Sequence, residues 1–145
     1  MRIRSDRRHH LLRAPADVWP VLTRVQDYQA WWPWLRRFDG QAFAPGERWA
    51  CEIQPPLPYR LRFTLCLDQV EPGRSATASV TGDIVGTARI ELSATSRGSE
   101  LHLVSALEPS TRLLRMMSGF VRPVARFGHD WVIDTGLRQF ESRAL

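Results

Sequence analysis

The sequence predicts an α+β domain in which one antiparallel sheet, apolar on one face, is covered by a long C-terminal helix. Two observations carry this. Turn signals punctuate residues 38–108 at short intervals: Pro45-Gly46, the Pro-rich stretch 54–58, Pro72-Gly73, Thr81-Gly82-Asp83 and Arg97-Gly98. Between them lie runs that read as strands, joined hairpin by hairpin. Apolar residues then recur at helical spacing from Leu113 to Trp131. A sheet with one apolar face needs such a cover.

The elements follow in chain order. Residues 2–12 read as a first strand. Pro15 suits the first position of a helix, with Asp17 in its first turn. Val18, Leu22 and Val25 share a face of it, and Pro20 bends or shortens it. Asp27 is placed to cap a second short helix, Tyr28–Leu35, which Pro33 ends early. Six strands complete a seven-stranded sheet.

Loop length fixes register, because residues opposite each other in an antiparallel pair share a face. Centring the Pro-rich loop on Leu57 sets Trp49 against Leu65, Cys51 against Phe63 and Ile53 against Leu61. Centring the next hairpin on Pro72-Gly73 sets Leu65 against Val80 and Leu67 against Ala78. A turn centred on Gly82 pairs Val80 with Ile84 and Ala78 with Gly86. One centred on Arg97-Gly98 pairs Leu92 with Leu103. These loops generate one apolar face running from Trp49 to Leu107. Glu52, Arg62, Thr64, Arg89, Glu91 and His102 fall on the other. Cys51 and Cys66 lie on opposite faces, which argues against a disulfide.

The last element is a helix over Thr111–Arg143. Leu113, Met117, Phe120, Val124, Phe127 and Trp131 form its apolar stripe, with Arg112, Arg115, Arg122 and Arg126 towards the other side. Pro123 crowds the carbonyl of Gly119, so a kink is expected between them.

Composition sets further bounds. The 145 residues suit a single domain, residues 1–145, able to bury roughly 70 % of its unfolded surface. No apolar run reaches the roughly 18 residues of a membrane span. The first ten residues lack the apolar core of a secretory signal, so the expected location is cytoplasmic. All 20 basic residues are arginine, and the net charge is +5. The isoelectric point of about 10.5 raises the question of nucleic acid. The arginines are scattered among 15 acidic residues, however, as on a solvated surface.

Several segments resemble the SRPBCC superfamily, the START-like and Bet v 1-like helix-grip proteins that include polyketide cyclase/dehydrase-type members. Ala14-Pro15-Ala16-Asp17-Val18-Trp19 resembles the family's first helix opening. Asp27-Tyr28-Gln29-Ala30-Trp31-Trp32-Pro33-Trp34 resembles its aromatic second helix. Gly82-Asp83-Ile84-Val85-Gly86-Thr87-Ala88 resembles its Gly-Thr strand opening. The resemblance covers nearly the whole chain; Pro20 departs from the pattern. It implies a curved sheet gripping the long helix around a cavity that takes lipids, sterols, quinones or aromatic polyketides.

No metal spacing, phosphate loop or nucleophile elbow is present in the sequence, and no cofactor is expected. Cys51 and Ser105 are the polar members of the apolar sheet face. Proton-transfer candidates therefore come from elsewhere: Arg7, His9, Tyr59, Trp34, His129 or Asp130. The expected ligand-binding walls are Trp49, Phe63, Leu65, Ile90 and Leu103 on the sheet, and Met117, Phe120, Val124 and Phe127 on the helix. Trp34 is expected near the opening. Ala78, Gly86 and Ala88 leave room on the sheet face. The favoured reading is binding of a small hydrophobic ligand. The alternatives are a polyketide cyclase or dehydratase with Tyr59 or His129 as proton donor, and a protein- or RNA-interaction module. The arginines would meet an anionic membrane surface in the first case and an acidic carrier protein in the second.

Overall fold

Seven strands form one antiparallel sheet in the order β1-β7-β6-β5-β4-β3-β2. The structure, a computed structural model, describes residues 2–116 and 121–145. The strands are β1 (Ile3–Leu11), β2 (Leu35–Asp39), β3 (Arg48–Ile53), β4 (Leu61–Glu71), β5 (Ser75–Gly82), β6 (Ile84–Thr95) and β7 (Gly98–Pro109). The segment between β1 and β2 carries the chain from one edge of the sheet to the other. It contains α1 (Pro15–Leu22), a single 3-10 turn (Val25–Asp27) and α2 (Tyr28–Trp31). Among the described residues, β7 is followed by the helical segments α3 (Thr111–Met116) and α4 (Val121–Ala144). The sheet curls around α4 in the Bet v 1-like arrangement.

Two hairpins take the expected register: Trp49 pairs with Leu65 and Cys51 with Phe63, then Leu65 with Val80 and Leu67 with Ala78. The next two differ by two residues. Val80 pairs with Gly86 rather than Ile84, because Gly82 still pairs with Phe63 and the Asp83 amide donates to the Arg62 carbonyl. The turn therefore centres on Asp83. Leu92 pairs with Leu101 rather than Leu103, because Thr95 and Gly98 already face each other across a two-residue turn. A shift of two preserves side-chain parity, so the apolar face survives both corrections.

Parity does change once. Asp68 has no partner in β5, since Leu67 pairs with Ala78 and Gln69 with Thr77. This extra residue bends the strand. It also moves the inward positions from Leu65 and Leu67 to Val70, which pairs with Ala76 and packs on the core. Gly86 is also read differently from expectation. A Cβ there would lie 1.9 Å from the Ala106 carbonyl oxygen, so the glycine permits close backbone approach and does not widen the cavity.

At the other end, Pro15 opens α1 and Pro20 lies within it. The second helix stops at Trp31, and Leu35 begins β2 rather than ending a helix. The Asp27 side chain makes no capping hydrogen bond. Tyr28 is instead the centre of this region. Its ring lies 4.8–5.7 Å from those of Trp31, Trp32, Phe38 and Trp49, and its hydroxyl donates to the Leu22 carbonyl at 2.6 Å. A buried phenol needs that partner.

The segment expected as one helix, Thr111–Arg143, is helical at Thr111–Met116 and from Val121 onward, and residues 117–120 lie outside the described residues. Pro123 lies within α4, two residues after its first described residue. The expected kink between Gly119 and Pro123 falls partly outside the described residues.

Candidate functional site

An apolar cavity of about 340 Å³ lies between the sheet and α4. Its sheet wall includes Phe63, Leu65, Ile90 and Leu103, and Trp34 joins it from the α2–β2 connection. A second lobe of about 270 Å³ shares these five residues and extends to Trp49, Phe38 and Phe43. Six of the sequence-predicted wall residues thus border the two lobes. Met117 and Phe120 lie outside the described residues.

The helix wall differs from expectation. Val124 borders neither lobe. Phe127 is 50 % exposed. The residues that do face the cavity include Ala125, Gly128, His129, Val132, Gly136 and Phe140. Their spacing of three and four is helical, but about one residue out of phase with the expected stripe. The cause is steric. A Cβ on Gly128 would come within 3.0 Å of Leu57 Cδ1, and one on Gly136 within 3.3 Å of Trp34 Cζ2. The inward face needs small residues to pass these side chains. A stripe chosen for large apolar residues therefore selects the neighbouring face.

Polar ties hold α4 in this orientation. Trp32 Nε1 donates to the Gly136 carbonyl at 3.0 Å, and Trp34 Nε1 to Gln139 Oε1 at 2.8 Å. From β1, Arg7 donates to Asp134 at 2.9 Å, and His9 lies 3.0 Å from Glu141. Arg7 and His9, two proton-transfer candidates, thus anchor the helix and do not line the cavity.

One polar pair interrupts the apolar wall. Ser105 Oγ on β7 and His129 Nε2 on α4 are 2.9 Å apart. Ser105 is only 4 % exposed. The other ring nitrogen, Nδ1, lies 3.5 Å from Asp130 Oδ1. Asp130 is in turn 3.6 Å from Arg7 and 3.7 Å from Arg126. Burial, with Arg126 and Arg7 acting in the same direction, lowers the His129 pKa against the pull of Asp130, so the ring is held towards its neutral form. The carboxylate beside Nδ1 favours the tautomer with its proton there. Nε2 then accepts from the Ser105 hydroxyl. Ser5, opposite Ser105 across β1 and β7, is buried with its hydroxyl unpartnered among the described residues.

Tyr59 also borders the cavity, and burial raises its pKa, so its phenol stays protonated. The Cys51 thiol is pushed up to about 12 by burial. Both cysteines are free. Among the described residues, no cluster of three His, Cys, Asp or Glu side chains is arranged to hold a metal, and no helix is long and apolar enough to cross a membrane.

Ser105 and His129 were both recognisable in the sequence as polar groups near the expected cavity. Their pairing was not, because it joins a strand and a helix 24 residues apart. The glycine–histidine face of α4 was also missed, although its spacing repeats at residues 125, 129, 132 and 136.

A curled sheet closed over a helix around an apolar cavity defines a helix-grip domain. The chain belongs to the family described as polyketide cyclase / dehydrase and lipid transport, which it matches over residues 2–144. A search of curated proteins finds no match. Solved structures share the fold at low identity. Ara h 8.0201 is 8 % identical, with a TM-score of 0.72 over 99 % of this chain and 98 % of that one. An uncharacterized protein from Rhizobium leguminosarum is 13 % identical, with a TM-score of 0.69 over 99 % and 97 %. Norcoclaurine synthase from Thalictrum flavum, solved with dopamine and hydroxybenzaldehyde, is 9 % identical, with a TM-score of 0.62 over 99 % and 88 %.

Proposed function

We propose that this chain binds a small hydrophobic molecule, of the lipid, quinone or aromatic polyketide kind, between the sheet and α4. The observation that carries this reading is the apolar cavity of about 340 Å³, within the range typical of small-molecule sites. Burial of apolar ligand surface supplies the affinity, at about 25 cal/mol per Å² before ordering costs. Trp34, Phe63, Leu65, Ile90 and Leu103 offer flat area for contact, with Trp49 in the second lobe. Family membership supports the same ligand class.

The Ser105–His129 pair favours a second reading, a polyketide cyclase or dehydratase in which the neutral imidazole moves a proton. An acyl-enzyme on Ser105 is poorly supported. Strand β7 pairs along both edges, with β1 and β6, so the backbone amides around Ser105 are committed to the ladder. They are not free to form an oxyanion site.

Native mass spectrometry of protein from its natural host, with organic extraction, tests both readings. One class of apolar compound released unchanged supports the binding role. A compound that is converted on incubation with the protein supports the enzyme. Repeated ligand-free masses, with no binding across a hydrophobic panel, overturn the binding reading.

A further inference from the structure

We propose that the Ser105–His129 pair reads the ligand's head group: it accepts a hydrogen bond from the hydroxyl of an otherwise apolar, neutral molecule. This rests on the cavity-binding reading and narrows it to alcohols and phenols.

The argument starts from the proton inventory. Asp130 Oδ1 lies 3.5 Å from Nδ1 without a hydrogen bond between them, and its negative charge favours the imidazole proton on that side. The Ser105 hydroxyl proton is then committed to Nε2 at 2.9 Å. Its remaining lone pairs are acceptors facing the cavity, whose wall Ser105 and His129 both join. A hydroxyl donor satisfies them. A ketone or ether, which can only accept, meets another acceptor. The opposite tautomer would free the serine proton, but it would turn the Nδ1 lone pair towards the Asp130 carboxylate.

Charge excludes anions. The described residues that line this cavity include no arginine. Arg7, which reaches Asp130 beside His129, is engaged by Asp134 and Asp130. A carboxylate head would be buried without a counter-ion. The burial that keeps His129 towards its neutral form acts in the same direction.

Two neutral probes of nearly the same shape separate the possibilities: 2-naphthol and 2-methoxynaphthalene. Their affinities are measured by quenching of tryptophan fluorescence. An acceptor-free apolar cavity favours the ether, because it buries one more methyl group. One net hydrogen bond is worth on the order of fivefold, against roughly fourfold for the methyl group. The wild-type protein is therefore expected to show a naphthol-to-ether affinity ratio on the order of fivefold above that of the double variant S105A/H129L, which replaces the polar pair by apolar side chains. Circular dichroism confirms that the variant is folded. Equal affinity ratios in the two proteins overturn this proposal and leave the cavity reading intact. Failure of both probes to bind the wild type overturns the cavity reading itself.

Discussion

His129 sits where the apolar cavity wall meets a charged rim, and its protonation links site chemistry to stability. The groups facing it are Ser105 from β7, Arg7 from β1, and Asp130 and Arg126 from its own helix. Burial is the largest influence and lowers the folded-state pKa below the ordinary value of 6.5. Above that value the ring is neutral in both folded and unfolded chains, and stability is unaffected. As pH falls below it, the unfolded chain takes up the proton first, so stability declines until the folded-state pKa is passed. Urea midpoints measured across this window are expected to fall in the wild type and to fall less in H129L. Parallel pH profiles would show that the imidazole is not held neutral. At this scale the sequence exposes the residue types but not their encounter. No periodicity joins Ser105 to His129; only the packing of α4 on β7 does.

Strands and helices were legible to different degrees. Hairpin parity survives a register error of two, because side chains alternate with a period of two. The apolar face was therefore readable even where the turns centred on Asp83 and before Gly98 were misplaced. The switch at Asp68 was not readable, because a bulge leaves only the offset of Val70 as its signal. A helix has no such tolerance: one position turns a side chain by about 100°. That is why Phe127, assigned to the cavity on hydrophobicity, is half exposed while Gly128 and Gly136 face inward. Paired truncations check the phase of α4. Phe140→Ala removes a side chain that is 2 % exposed and is expected to cost about 3–5 kcal/mol in urea unfolding. Phe127→Ala is expected to change stability by less than about 1 kcal/mol. Similar losses from both would contradict the orientation of α4 described above.

On the scale of the whole molecule, the sheet, α2 and α4 enclose more apolar wall than they fill. Protein interiors ordinarily pack with few voids larger than a water molecule. A cavity of about 340 Å³ is far beyond that and is bordered by small residues such as Ala88, Ala125 and Gly136. The sequence announces this architecture through its turns and aromatic motifs, but the cavity's volume depends on how the helix is set, which α4's neighbours decide. The most direct test is a fluorescence titration with N-phenyl-1-naphthylamine, a neutral apolar probe that brightens out of water. It is run on the wild type and on Ala88→Phe, in which a ring is added to the sheet wall. The account predicts saturable, roughly one-to-one binding by the wild type, weakened at least about tenfold in the folded variant, as loss of about 1.4 kcal/mol of contact would give. Equal binding by the two proteins, or none by the wild type, would contradict it.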